Sequence, residues 1–294
     1  MAAGITLCVD AGGTRCRGRL VAPDGTVLAE GEDGPCNPST DLDRAVASLG
    51  RLWTACAAGH DAANVTLALG GAGLAAPAVR TAFLAALPRF GRTVAMSDGY
   101  AALIGAGGGT PSGLIIAGTG VVAHRLFADG RSIARDGWGW VGGDRGSGAW
   151  IGQRALRHAL AAEDGVVPRD GLAARVLTVL RAEAGSPRAW ITGLGPDRLA
   201  ALAPLVLAVA EEGETTAGAI LDRALGHLAA LAGTLALGAG DALYLAGGLA
   251  PVMRHRLAAR LGRAVGAPAA DACTGCLLVA TGAAPPETVL EPEG

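Results

Sequence analysis

Two short runs of small residues, each placed where an apolar strand ends, constrain this chain most. Cys8-Val9-Asp10-Ala11-Gly12-Gly13-Thr14 continues the apolar stretch that begins at Ile5, and Ala117-Gly118-Thr119-Gly120 continues Leu114-Ile115-Ile116. A side chain beyond Cβ would keep backbone N–H groups away from a phosphate; glycine removes that barrier and also permits positive φ. Thr14 and Thr119 add hydroxyl donors. Asp10, at the end of the first strand, suits a hydrated magnesium ion held against those phosphates, because Mg2+ keeps several waters and takes few carboxylates. The bland alternative is an Asx contact that stabilises the turn. With 47 glycines in 294 residues, one Gly-rich turn alone would carry little. Two of them, each after a strand, point to a chain that grips a polyphosphate such as ATP from two sides.

The pattern around these turns repeats. Strands are expected over residues 5–9, 17–21 and 27–30, with Asp24-Gly25 as the hairpin turn between the last two. Helical spacing follows over 42–58, with Asp41 as N-cap, then a buried strand over 65–69, a helix over 79–90 and a strand over 94–96. The pattern restarts with strands over 114–117 and 121–126 and a second hairpin turn at Asp129-Gly130. The Gly-rich segment 105–113 reads as linker and hinge between the two copies. The second half is mostly helical, over 149–162, 172–184, 199–211 and 216–239. It returns to strand at 242–245 and closes with a helix over 273–280.

Composition narrows the class. The formal net charge is −2 and every basic residue is Arg, so nothing points to nucleic acid. Mean hydropathy is +0.39, yet the longest apolar run, 199–210, is shorter than the roughly 20 residues of a membrane span and contains Pro204. No basic segment precedes an apolar one at the N-terminus, and a cytoplasmic protein is expected. Cys273-x-x-Cys276 has no second pair to complete a tetrahedral metal site, and its Ala- and Leu-rich surroundings read as a buried helix. His124, His158, His227 and His255 show no ligand spacing and read as surface or helix residues.

Three more stretches carry a resemblance. Ser97-Asp98-Gly99-Tyr100-Ala101-Ala102 follows a strand. Gly137-Trp138-Gly139-Trp140-Val141-Gly142-Gly143-Asp144-Arg145-Gly146-Ser147-Gly148-Ala149-Trp150-Ile151-Gly152 is the most specific. Leu243-Tyr244-Leu245-Ala246-Gly247-Gly248-Leu249 places a Gly pair after a strand. With the two turns, they make the chain resemble the sugar kinase/actin-like ATPase superfamily, and within it the N-acetylglucosamine kinase and BadF-type ATPase group. That resemblance implies an α/β fold of two RNase H-like (actin-like ATPase) domains with an interdomain cleft, spanning 1–112 and 113–294, the last helix packing back on the first domain. It implies ATP and Mg2+ as cofactors and an amino sugar as acceptor, N-acetylglucosamine becoming its 6-phosphate. Glucosamine is the second choice of substrate. The rival class, an ATPase that activates an electron-transfer enzyme, would carry a cluster-binding cysteine in its middle region, and no cysteine lies between Cys56 and Cys273. A non-catalytic sugar sensor would be expected to lose Asp98 or the glycine turns. The oligomeric state stays open, with a homodimer as the candidate.

Each site residue has a bland reading beside the functional one. Spacing alone leaves Asp98 as either a helix N-cap or a carboxylate base; the resemblance makes it the general base. Asn37, in Gly34-Pro35-Cys36-Asn37-Pro38, reads as a turn residue, and the resemblance makes it a sugar ligand. Asp144 could be a solvated loop charge. Three of the five tryptophans, Trp138, Trp140 and Trp150, flank it, which favours a sugar site, with Trp138 as its wall and the other two packing core. By resemblance, Thr119 and Gly148 also touch the sugar, Gly12, Gly13, Thr14, Arg15, Gly118, Thr119 and Gly120 hold phosphates, and Gly247 and Gly248 lie under the nucleoside. Three positions depart from the family pattern: Arg145 replaces Glu, Val121 replaces Ser, and Arg15 replaces Lys.

Overall fold

The computed structural model describes residues 4–287. Five strands form the first sheet: β1 (Thr6–Ala11), β2 (Cys16–Val21), β3 (Val27–Asp33), β4 (Thr66–Gly71) and β5 (Arg92–Ser97), in the order β3-β2-β1-β4-β5. β1 is antiparallel to β2 and parallel to β4. The second sheet contains β6 (Ser112–Ala117), β7 (Val121–Leu126), β8 (Ser132–Asp136) and β9 (Ala242–Ala246), in the order β8-β7-β6-β9. Its strands repeat the first sheet's order and directions, so the weak sequence repeat is a structural duplication. Where the first sheet has β5, the second has a single parallel bridge from Tyr244 to Gly266.

The helices of the first half are α1 (Leu42–Cys56), α2 (Pro77–Ala86) and α3 (Asp98–Gly107). The second half adds α4 (Gly139–Gly142), α5 (Gly148–Glu163), α6 (Gly171–Ala184), α7 (Pro187–Ile191), α8 (Pro196–Ala200), α9 (Ala203–Glu211), α10 (Thr215–Thr234), α11 (Ala250–Leu261) and α12 (Ala272–Thr281). Asp41 caps α1 as expected, accepting the Arg44 N–H.

Alternation along β1 sets which side faces the site. Leu7, Val9 and Ala11 join the core under α1, while Cys8 joins the core shared by α3 and α12, so Asp10 points to that second face. α12 lies against α3, β1 and β4. The α3–α12 approach is close because it passes through glycines: a Cβ on Gly275 would sit 1.9 Å from the Ala101 carbonyl, and one on Gly105 2.1 Å from that of Asp271. Asp271 caps α12 and receives both terminal nitrogens of Arg19, on β2.

Four expectations need correction. The linker over 105–113 shrinks to 108–111, because Gly105 and Gly107 are helical and packed, and α3 ends only at Gly108 with φ 63°. The helix expected over 199–211 is two, since Pro204, lacking an N–H, opens a new helix rather than continuing one. α10 stops at Thr234, not 239: Ala236 turns left-handed (φ 49°), and Arg125 takes the Leu235 and Ala236 carbonyls. α2 begins and ends earlier than expected, and Pro77 sits in its first turn, where its missing N–H does no harm.

Candidate active site

The two glycine turns connect β1 to β2 and β6 to β7. In the first, the Gly12 N–H closes on the Arg15 carbonyl at 2.9 Å, and the Cys36 N–H reaches the Gly12 carbonyl at 2.9 Å. Gly13, Thr14 and Arg15 are exposed. Neither Gly12 nor Gly13 has positive φ, so bareness rather than handedness is what glycine supplies there. In the second turn, the Gly118 N–H donates to the Gly120 carbonyl (2.9 Å). The first N–H groups of α5, from Gly148 and Ala149, donate to the Gly118 and Thr119 carbonyls at 2.8 and 3.1 Å. Gly148 therefore braces the turn. Gly247 (φ 90°) crosses the end of β6 so closely that a Cβ would lie 2.3 Å from the Ala117 carbonyl. Gly248 faces open space.

Asp10 and Asp98 reach one cavity of about 440 Å³, lined also by Arg17, Leu114, Ala246 and Asp271. The cavity thus takes walls from both sheets. Asp98 opens α3, but it is not the cap: Ser97 is, accepting the Tyr100 N–H with its hydroxyl. That removes the bland role left to Asp98. Its carboxylate reaches the cleft, where surrounding protein strips water from the charged form and raises its pKa, against the Gly99 N–H at 2.9 Å. Asp10 is raised as well, first by burial; Arg17 pulls it down and the Asp98 charge pushes it up. Arg17 stands directly across from Asp10 in the β1–β2 register, 4.0 Å away.

Asp144 is buried, left-handed (φ 55°), and lies behind the second turn. It accepts the Val121 N–H at 3.1 Å, its own N–H goes to Asp136 at 3.0 Å, and burial raises its pKa. Gly120 is glycine for this reason, since a Cβ would lie 2.7 Å from the Asp144 Oδ2. The Asn37 Oδ1 accepts the Ser39 N–H and hydroxyl at 3.0 and 2.6 Å, which is the turn role. Its Nδ2 makes no hydrogen bond among the described residues. Trp138 is 80 % exposed at the start of α4, while Trp150 is buried and Trp140 packs partly on the core. Cys273 and Cys276 are buried on α12 as expected, their thiols directed to the Arg17 and Val9 carbonyls.

Three neighbours of Asp98 escaped the sequence reading. His124 is not a surface residue. It is buried on β7, with Nε2 2.0 Å from where a Gly99 Cβ would be, and burial lowers its pKa to about 4. Period-two alternation in Val-Val-Ala-His-Arg-Leu was the available signal. Ser97 and Glu287 are the other two: the Ser97 N–H and hydroxyl donate to the Glu287 carboxylate at 2.8 and 2.6 Å. No sequence signal connects residues so far apart.

Among the described residues, no group of three or more His, Cys, Asp or Glu side chains is placed to hold a metal, and no helix is long and apolar enough to cross a membrane. Glucosamine kinase GspK of Vibrio cholerae is 25 % identical over 277 residues, covering 92 % of this chain and 94 % of that one. The solved structure of a candidate N-acetylglucosamine kinase from Chromobacterium violaceum is 32 % identical with a TM-score of 0.86, over 95 % of this chain and 100 % of that one. A ROK-family glucokinase from Streptomyces griseus, solved with glucose and AMPPNP, shares the fold at 18 % identity and a TM-score of 0.54, over 96 % of this chain and 99 % of that one. The fold is accordingly the two-domain actin-like ATPase fold. Residues 7–265 match the profile of the BadF/BadG/BcrA/BcrD ATPases, and the chain belongs to that family.

Proposed function

We propose that this chain is an ATP-dependent hexosamine kinase that phosphorylates N-acetylglucosamine at its 6-hydroxyl. The observation that carries this reading is the meeting of Asp10 and Asp98 in one cavity, with a bare glycine turn in each half of the fold. Relatives matched over nearly their whole length and named for amino-sugar kinases support it. Lobes spanning 1–112 and 113–294, hinged at 108–111, would close on the two substrates and exclude water. ATP as donor assigns the reaction to the cytoplasm.

Asp98 orients the acceptor hydroxyl and takes its proton late, as phosphoryl transfer requires little more than positioning and charge stabilisation. Burial raises its pKa, which makes its carboxylate a stronger proton acceptor. The turns Gly12–Thr14 and Gly118–Gly120, with Arg15, bind the phosphates through the N–H groups of Gly13, Thr14, Thr119 and Gly120, the Gly12 and Gly118 N–H groups closing the turns, while Gly247 and Gly248 seat the nucleoside. The donor set fits magnesium: Asp10 and Asp98 are available in the cleft, Asp271 is taken up by Arg19, and no all-protein cage exists among the described residues. Asp10 would hold it through water, and the ion neutralises phosphate charge when bound. Asn37, with its free Nδ2, and the exposed Trp138 would reach the sugar on closure, and Asp144, buried behind the second turn, would act through that turn.

The acetamide is favoured over the amine. An ammonium at C2 would call for an uncompensated carboxylate, and Asp144 is buried and already engaged by the Val121 N–H. A panel of hexoses and hexosamines read by ADP release tests the assignment. The expected result is the highest kcat/KM for N-acetylglucosamine. A higher value for glucosamine overturns the substrate, and ADP release unaffected by any sugar overturns the kinase.

A further inference from the structure

A second cavity, of about 380 Å³, lies apart from the cleft, between α4, α5 and α10. Its walls include Trp140, Arg145, Trp150, Arg154, Arg223 and His227. Trp150 and Arg154 on α5, and Arg223 and His227 on α10, are each four residues apart, so each pair shares one helical face. Arg154 stacks on Trp150, its guanidinium carbon 5.0 Å from the ring centroid, and Trp150 meets His227 edge to face at 5.0 Å. The ring scaffold holds the cations in place.

Among the described residues, the cations form no ion pairs: none of these three arginines comes within 4.0 Å of a carboxylate. Asp222, beside Arg223 in sequence, is paired with Arg260 at 2.6 Å. Asp136, which borders the adjoining depression with Arg145 and His227, accepts the Asp144 N–H. The Arg154 Nε is buried with no hydrogen-bond partner. The field of the three arginines also adds to burial in holding His227 neutral. Like charges gathered around a concave, partly apolar surface, with a buried donor unused, form a receptor for an anion.

We propose that this cavity binds a phosphate group, as free phosphate or as a sugar phosphate, at a site distinct from the nucleotide cleft. Arg154 and Arg223 supply forked donors to the phosphate oxygens, and the tryptophans wall the remainder. The loop it adjoins carries Arg145 into the cavity and Asp144 into the back of the second glycine turn, so occupancy braces that turn from outside. The assignment goes beyond the kinase reading and does not depend on it.

The test is calorimetric titration at constant ionic strength, with saturating ADP, Mg2+ and N-acetylglucosamine covering the cleft. Inorganic phosphate and N-acetylglucosamine 6-phosphate are titrated separately into the wild type and the Arg154→Gln/Arg223→Gln variant. Saturable binding in the wild type that weakens about tenfold or more in the variant is expected, from the loss of two charge-assisted donors. The melting temperature should stay at the wild-type level, showing that the variant is folded. Tighter binding of the sugar phosphate makes it the ligand; equal binding makes free phosphate the ligand. No saturable binding in the wild type, or equal binding by the variant, overturns the site.

Discussion

The two glycine turns share a local sequence solution but are braced differently. The first is closed by its own hydrogen bond and by the Cys36 N–H, with the Ala72 N–H on the Ala11 carbonyl at 2.8 Å as its strand-end brace, and three of its residues are exposed. The second is fixed from behind by the N-terminus of α5, by Asp144, and by the Leu249 N–H on the Ala117 carbonyl at 3.0 Å. Both candidate reacting carboxylates, Asp10 and Asp98, belong to the loosely tied half. The duplication thus separated two tasks. One copy keeps the more braced cradle; the other carries the two carboxylates, Asp10 at the end of β1 and Asp98 at the start of α3, beside a turn with fewer braces.

The largest expected effect tests that division directly. Asp98→Asn should lower kcat by about 10²–10⁴, the usual contribution of a positioned general base, with little change in KM for ATP. Asp10→Asn should instead raise KM for MgATP, and added magnesium should recover part of the rate. Steady-state kinetics over a magnesium series distinguish the two. Near-normal turnover in Asp98→Asn would leave the first half without its chemical role.

His124 gives the next effect, on stability rather than rate. Its folded pKa of about 4 lies below the unfolded value of 6.5. Between those values the unfolded chain binds more protons, so stability falls as pH falls through that window, by up to about 3 kcal/mol. Above pH 6.5 the penalty is absent. Asp10 and Asp98, raised in the folded state, act in the opposite sense on acidification. Comparing denaturant unfolding of the wild type with His124→Gln between pH 4 and 7 isolates the histidine. A parallel loss in both proteins would disprove its neutral burial.

A smaller pair of substitutions sharpens the contrast between the turns. Gly120→Ala forces a methyl towards Asp144 Oδ2, at 2.7 Å, and should destabilise by about 1–3 kcal/mol. Gly13→Ala meets nothing within 4 Å and should change stability by no more than about 0.5 kcal/mol, while still weakening ATP binding. Equal losses of stability would mean that the turns are braced alike.

How much of this was readable in the sequence depends on the range of the interaction. The turns, the duplicated hairpins and Asp98 at the strand–helix corner follow from local period and small-residue runs. The Asp10–Arg17 pair does not, because the expected strands, over 5–9 and 17–21, left Asp10 outside the hairpin. What escaped is long-range or local competition. The Gly-rich 105–113 read as linker because glycine's use as a close-packing residue, seen at Gly105 against Asp271, looks the same in sequence as flexibility. His124 was misjudged although its period-two neighbours Val122 and Leu126 are apolar, because whether that face is covered depends on what the sheet packs against. Asn37 illustrates a third case: its turn contacts are local and present, and they leave its Nδ2 for a ligand.

The smallest effect expected lies at the chain's far end and tests how the less braced half is steadied. Glu287 accepts from both the backbone and the hydroxyl of Ser97, while the same hydroxyl caps α3 through the Tyr100 N–H. The Tyr100 hydroxyl donates to the Pro285 carbonyl at 2.9 Å, so residues 285–287 grip the first turn of α3 at two points. Pro285 also lies where a Gly130 Cβ would touch it at 3.2 Å, in the β7–β8 turn of the other half. Residues 285–287 therefore link the Asp98 corner to the second sheet. Removing its carboxylate should let Asp98 drift by a fraction of an ångström, and misplacement of a reacting group is felt in kcat. Glu287→Ala should lower kcat by about threefold to tenfold while leaving KM for ATP unchanged, and Glu287→Gln, which can still accept one of the two hydrogen bonds, should recover part of it. A merely structural contact would lower the melting temperature in both variants without this graded loss of kcat, and that outcome would detach Glu287 from the position of Asp98.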